Sequence, residues 1–476
     1  MLINRIIKWF VAWPDLLKYL GLISLTLAAT YYAPYPIRVI WYVILLSSYL
    51  FSRNEALWLA LFLSTTDGFA GFFGLYEATM TILPGLPAVE IVQIYIILTV
   101  IKAAGSRVKP VLFYSKYLQI LFIYLLFTIV WGQLMGLSGG LNVYFRLLKG
   151  FIPMLLFYSV PRLFVTWEMY ERFFNLVFYI VLIAFAAQLF TLFTGISPME
   201  AGGISRSDEN EDINEFRVFY NSSTALIGMF GGLYFIARRV RKDAGRFLPF
   251  AVVFSSLAMA LLSATRGWII SFSLVTLLAL MFTGIAGSRR FILFVIVIIP
   301  VILWALSSPT ISSQLEFARE RLETIGAISE GDLTARGTLQ RLDYRSQKAL
   351  SGWKENPLFG WGLSDMGYSY NDGHVGNQSL LAISGVVGFA LLNGFLIWFS
   401  YMIVALYLKS AKKKVDRNPL LIFVIFLIGW FFIHSSSGQQ FGYSGIPEQI
   451  IPQAVFFSFG AYRYQRILSI VNGKKI

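Results

Sequence analysis

The sequence predicts an all-α protein: a polytopic integral membrane bundle of about 12–14 transmembrane helices, with a helical cap on its outward, periplasmic side. Three observations carry this. The 476 residues are 57% hydrophobic and 13% charged, with a mean hydropathy of +0.67, whereas a soluble chain covers its cores with roughly 25% charged residues. The apolar residues fall in long runs divided by short polar stretches. The basic residues gather in alternate polar stretches, as cytoplasmic loops require.

A crossing needs about 17–25 predominantly apolar residues. Stretches of that kind lie near 17–32, 37–52, 55–73, 87–104, 113–132, 143–161 and 172–195. Seven more lie near 218–238, 247–264, 267–285, 289–307, 378–408, 419–436 and 449–465. Arg38 and Asp67 sit inside or beside the first three, which sets the lower bound of twelve. The runs Arg238, Arg239, Arg241, Lys242 and Lys412, Lys413, Lys414 then fall on one side and most acidic residues on the other. The positive-inside rule therefore puts both termini in the cytoplasm. Arg5 and Lys8 precede a stretch interrupted by Asp15 and Lys18, with no small-residue cleavage pattern, so the N-terminus is read as uncleaved.

A net charge of +14 would suggest nucleic acid in a soluble protein, but here it faces the membrane, and lipids rather than nucleic acid are the expected partners. Cysteine is absent and only two histidines occur, which excludes disulfides and thiolate sites and argues against any metal centre. No cofactor motif is present. No internal repeat or soluble domain divides residues 1–476, so a single membrane domain is expected, and the missing inverted repeat weakens a transporter reading.

Two outward segments exceed a simple turn, 196–217 and 308–377. The first is acidic. Asp208-Glu209-Asn210-Glu211-Asp212 begins like a calcium loop, but Ile213 stands where glycine is needed and Phe219 where glutamate is needed. The second has helical periodicity over 335–354: Leu339, Leu342, Ser346, Ala349, Leu350 and Trp353 share one face, with Arg341, Arg345 and Lys348 on another. Pro357 ends this amphipathic helix. Gly360 and Gly362 follow in Asn356-Pro357-Leu358-Phe359-Gly360-Trp361-Gly362, where glycine lets backbone approach a ligand closely.

The candidate chemistry is cationic. Arg336, Arg341 and Arg345 recur at about one helical turn, and an arginine fork holds diphosphate oxygens bidentately. Arg266 occupies the tip between two apolar helices, Arg217 opens another, and Arg146 and Lys149 lie a turn apart near the outer end of a third. Together these cations suit a diphosphate in a water-poor site. His374, in Asp372-Gly373-His374-Val375-Gly376, has glycine nearby on both sides, and an imidazole is the side chain suited to take a proton from a sugar hydroxyl. His434 reads as a structural or supporting residue. Asp67 and Glu90, within or near spans, are what an ion-coupled carrier would use.

Across residues 215–400 the chain resembles the polytopic bacterial glycosyltransferases that comprise O-antigen polymerases and O-antigen ligases. The resemblance rests on Arg217 at a helix start, Ser263-Ala264-Thr265-Arg266-Gly267 between two helices, and the long loop ending in Glu355-Asn356-Pro357-Leu358-Phe359-Gly360-Trp361-Gly362. His374 then precedes Gln378-Ser379-Leu380-Leu381-Ala382-Ile383-Ser384-Gly385-Val386-Val387-Gly388. It implies a bacterial inner-membrane enzyme acting on glycan carried by undecaprenyl diphosphate, with metal-independent, inverting transfer. By position, Arg217, Arg266 and either Arg336 or Arg341 would bind the diphosphate, and His374 would activate the acceptor. A chain-length regulator and a flippase of the same pathway are the partners it implies.

The leading expectation is a polymerase that extends lipid-linked repeat units. A ligase transferring finished glycan to lipid A core or protein is the second, and a polysaccharide-pathway transporter or flippase the third.

Overall fold

The computed structural model describes residues 14–73, 77–81, 87–138, 140–204, 218–238, 247–287, 289–329, 338–413 and 415–473. Every one of the fourteen apolar stretches is helical. The first half contains α1 (Asp15–Tyr31), α2 (Tyr35–Phe51), α3 (Glu55–Asp67), α4 (Ile91–Ala104), α5 (Ser115–Leu134), α6 (Leu141–Phe151), α7 (Leu156–Leu163), α8 (Trp167–Thr194) and the single turn α9 (Pro198–Ala201). The second contains α10 (Ser222–Ala237), α11 (Leu248–Leu262), α12 (Arg266–Thr283), α13 (Arg289–Leu306), α14 (Pro309–Ser329), α15 (Thr338–Glu355), α16 (Asp365–Tyr370), α17 (Gly376–Lys409), α18 (Asn418–Ser436) and α19 (Pro447–Val471). Between α3 and α4, Thr79–Met80 pairs antiparallel with Val89–Glu90. Prolines stand in the first turns of α2, α11, α18 and α19, where the missing N–H has no helical partner to lose.

This is a polytopic helical membrane bundle. By length and apolar character, six of the described helical segments can cross a bilayer, or seven if the bent pair Phe291–Leu306 and Pro309–Glu323 counts once. That is fewer than the expected twelve to fourteen, because several stretches that read as spans form helices too short for the roughly 20 residues a crossing takes. Tyr35–Phe51, Ile91–Ala104, Ser222–Ala237 and Leu248–Leu262 are apolar but have 10–17 residues. α3 has 13 residues, of which Glu55 through Thr66 are all buried.

The core is aromatic. Where α10, α18 and α19 meet, the Phe230 ring lies 5.1 Å from Phe423, 5.2 Å from Phe426 and 4.9 Å from Phe456. Small residues let helices close on it: Gly429 of α18 lies against Val275 and Ser271 of α12, and the Ser271 hydroxyl donates to the Gly429 carbonyl at 2.7 Å.

The segments that charge assigns to one side do meet at one end. At the basic end, Lys102 pairs with Glu55 at 2.5 Å, and Asn54 donates to Asp15 at 2.8 Å. At the other end, Tyr32 donates to the Gly202 carbonyl at 2.8 Å and Gln314 to the Leu262 carbonyl at 2.5 Å. α13 and α14 meet at 95°, so α14 runs across this end and forms the cap with α15 and α16. Residues 309–329 were expected to be loop; they are helical, held by buried Ile311, Gln314 and Ala318 on one face and by an exposed Arg319–Glu323 pair on the other. α15 matches the amphipathic helix expected over 335–354.

α17 is broken at Gly385, whose φ is 61° and ψ −173°. A break strands carbonyls on one side and amides on the other, and a buried polar group needs a partner. Here the loop after α15 supplies two on each side, and the Tyr124 hydroxyl of α5 donates to the Ser384 carbonyl at 2.5 Å. Trp361 N–H donates to Ala382 at 2.9 Å and Gly362 N–H to Ile383 at 2.8 Å, the carbonyls that Val386 and Val387 would have used in an unbroken helix. The freed Val386 and Val387 amides donate to the Pro357 and Leu358 carbonyls at 2.9 and 3.1 Å. Leu363 N–H reaches Thr128 of α5 at 3.1 Å, and the Trp131 indole donates to Gly360 at 2.9 Å. The 357–363 segment is thereby clamped between α5 and the broken α17, which fixes where His374 leaves the cap.

Candidate functional site

The site is built on the C-terminal end of α18 and the turn after it, residues 434–441. α12 begins at Arg266, two residues after Ala264, which adopts φ 49°. A Cβ on Gly267 would run into the Ser437 hydroxyl, so the α12 N-terminus lies directly on the α18 C-terminus. From the other flank, Gln439 N–H donates to the Gly373 carbonyl at 2.5 Å, and Asn377 donates to Ser435 at 2.8 Å. A Cβ on Gly376 would stand 2.6 Å from the His434 ring. One six-residue stretch therefore touches the neighbours of Arg266 on one side and of His374 on the other.

His434 organises that stretch. It is 1% exposed, and its Nδ1 accepts the Gln440 and Phe441 amides at 3.0 and 3.3 Å. Nδ1 is therefore the acceptor nitrogen, which makes His434 a scaffold for the turn.

His374 is exposed, on the short link from α16 to α17. Its main-chain N–H donates to Asp372 Oδ1 at 2.9 Å, and the same oxygen receives the Arg345 guanidinium of α15 at 3.4 Å. Ser379, in the second turn of α17, takes the Asp372 N–H at 2.8 Å and donates to the Asp372 carbonyl at 2.7 Å. The histidine link is thus tied to the cap through Arg345 and to the bundle through Ser379. Asn377 Oδ1 and Gln378 Oε1 are buried with no hydrogen-bond partner among the described residues, two amide acceptors beside the histidine.

The structure places the chain neighbours of Arg266 and of His374 on the same α18 end, and it ties Arg345 to the Asp372 that holds the His374 main chain. Arg146 and Lys149 stand apart on α6: exposed Arg146 interacts electrostatically with Tyr368 of α16, and Lys149 with Glu90. Arg217, Arg336 and the acidic run 208–212 lie outside the described residues, as does the Arg341 side chain. The helix that Arg217 was expected to open begins later, at Ser222.

Gly360 and Gly362 require correction. They were expected to let backbone approach a ligand, but the close approach is to the protein's own backbone. Their φ values are 65° and 61°, and a Cβ would fall 2.6 Å from the Ala382 carbonyl oxygen for Gly360 and 2.7 Å from the Gly132 nitrogen for Gly362. Glycine is needed there to dock the loop into the break of α17.

Asp67 also has a partner that the sequence did not reveal. The α10 N-cap, Asn221, is left-handed and makes no side-chain cap. Asp67, at the end of α3, takes its place across the bundle, accepting Ser223 N–H at 3.1 Å and Thr224 N–H and Oγ at 2.6 Å each.

Sequence reasoning missed Asp372, Asn377, Gln378 and Ser379 as site residues. Asp372 stands two residues before His374, and an aspartate at that offset can hold the backbone of a turn; this was the available signal. No protein-family model matches the chain, and no curated protein matches it.

Proposed function

We propose that the protein is a glycosyltransferase that polymerises oligosaccharide repeat units carried on undecaprenyl diphosphate, at the outer face of the bacterial inner membrane. The observation that supports this best is that residues 434–439 pack against Gly267, next to Arg266, and against Gly373, next to His374, at the end of the bundle where charge predicts the outside.

The chemistry follows from what those groups do. The acceptor hydroxyl oxygen attacks the anomeric carbon of the donor sugar while the bond from that carbon to the diphosphate oxygen breaks. The hydroxyl proton passes to the His374 imidazole, and the departing diphosphate takes the electron pair of the broken bond. Arg266 opposes the charge that accumulates on it. Asn377 and Gln378 offer amide oxygens to sugar hydroxyls. Asp372 fixes the main chain of His374 rather than touching substrate, and Arg345 serves first as the partner of Asp372.

The carrier reading loses its main residue, because the Asp67 carboxylate already caps α10. The deciding experiment incubates the purified, reconstituted protein with undecaprenyl-diphosphate-linked repeat units, with and without lipid A core, and reads products by mass. Lengthened glycan still on undecaprenyl diphosphate supports the polymerase, whereas glycan on core replaces it with a ligase. Absence of both products with native substrates overturns the transferase reading.

A further inference from the structure

The end of the bundle opposite the candidate site carries a cationic cluster that the transferase reading does not use. Arg238 closes α10, Arg463 lies late in α19, and Trp167 begins α8. The Arg238 guanidinium lies 3.6 Å over the Trp167 ring, and the Arg463 guanidinium 5.6 Å from the same ring and 5.8 Å from that of Tyr234. The two arginines interact electrostatically with each other. Like charges brought around one indole oppose folding unless something of opposite sign joins them.

Nothing among the described residues does so at contact distance. Neither guanidinium has a carboxylate within 4 Å; Glu171 and Asp416 act on the cluster only at longer range, with Arg466 adding a further positive charge. Arg463 is only 6% exposed, its guanidinium interacts with the Tyr234 hydroxyl, and its Nε is buried without a hydrogen-bond partner among the described residues. Two cations around one indole, one of them with a buried unfilled Nε, call for an anion with several acceptor oxygens in a compact geometry, which a phosphate provides. The aromatic walls hold the guanidinium planes in place, so little side-chain freedom is lost when that anion binds.

We propose that Arg238, Arg463 and Tyr234 form a binding site for the phosphate of an anionic phospholipid in the cytoplasmic leaflet. A lipid is favoured over a free anion by position. The cluster joins α8, α10 and the late turns of α19 on the side where the lysine and arginine runs concentrate, and basic pockets between helices on that side recruit anionic headgroups. The site is independent of the transferase reading, because it lies at the other end of the bundle and its readout is lipid.

The test uses the full chain, delipidated in neutral detergent and then offered vesicles of phosphatidylcholine alone or with one-fifth phosphatidylglycerol. Retained lipid is counted by native mass spectrometry. The wild type should retain phosphatidylglycerol in preference to phosphatidylcholine, and Arg238→Gln, which changes a half-buried helix end, should reduce that retention about tenfold. Arg463→Lys keeps the charge without the fork and should fall between them. Equal retention by the wild type and Arg238→Gln would overturn the proposal, as would inorganic phosphate that displaces phosphatidylglycerol at equal concentration. Because Arg463 is buried, each variant is first matched to the wild type in thermal unfolding in phosphatidylcholine. If Arg463→Lys does not fold, Arg238→Gln alone decides.

Discussion

The main-chain N–H of His374 donates to the Asp372 carboxylate at 2.9 Å, and that carboxylate oxygen is also the one that holds Arg345 of the cap, at 3.4 Å. The aspartate therefore sets the path of the histidine link relative to α15, while the imidazole itself remains exposed. Under the proposed transfer, this separates two kinds of residue at one site: His374, the group that would act on substrate, and Asp372, the group that positions its main chain.

Replacing the acting groups should remove transfer without unfolding the protein. His374→Ala is expected to lower the rate about 10²–10⁴-fold, the contribution of a positioned acid or base. Arg266→Ala is expected to lower it at least as far, with Arg266→Lys recovering part. Initial rates in proteoliposomes, set beside unchanged thermal unfolding, provide the measurement. Normal rates in both alanine variants would remove the site.

Asp372→Ala should give a smaller loss, about tenfold, because the histidine link is freed while the imidazole is kept. Ser379 still ties that link to α17. Arg345→Ala should produce a similar loss, and the double variant should be little worse than either single one, since both remove the same tether. Additive losses would show that Arg345 acts directly on substrate.

Gly385→Ala should damage the fold itself. Alanine at φ 61° costs about 1–2 kcal/mol, and its Cβ would collide with the Leu358 carbonyl. Gly373→Ala is the control, since nothing lies within 4 Å of a Cβ there. A lower unfolding temperature for the first, and no change for the second, is the expected pattern.

Asp67→Asn should destabilise the protein by about 1–3 kcal/mol through loss of a charge-assisted cap on α10, while leaving transfer by the folded fraction intact. If vesicle flux of any pathway substrate depended on Asp67 at unchanged stability, the carrier reading would return.

Asp365 gives a pH dependence outside the membrane. Hydrogen bonds from the Ser138 hydroxyl and N–H hold its carboxyl below the usual carboxylate range. A depressed folded-state value means that the tether contributes stability above the unfolded-state pKa of about 3.9 and loses it as pH falls through the lower folded value. Unfolding temperature should therefore drop more steeply below pH about 4 in the wild type than in Asp365→Asn.

What the residues declared on their own was whatever depends on local pattern. Apolar runs became helices at nearly the expected bounds, because backbone in lipid must bond within its own segment. The amphipathic 335–354 stretch became α15 because its periodicity is local too. Span number was less legible, since an apolar helix of 14–17 residues and a full crossing share one composition and differ in where the helix ends.

Partners distant in sequence were decided by tertiary structure alone. Gly360 and Gly362 read as a ligand cradle, yet they serve the break at Gly385, some 25 residues away. Asp67 seemed unpaired because its partners, Ser223 and Thr224, lie more than 150 positions on. The sequence supplied Arg266, Arg345 and His374 as candidates, but what links their segments is the α18 end, which carries Ser437 against Gly267 and Gln439 against Gly373, and Asp372, which holds Arg345. Hydropathy and spacing report which groups a segment can satisfy by itself. The groups left over find partners wherever packing puts the next segment, and that is fixed only when the whole bundle closes.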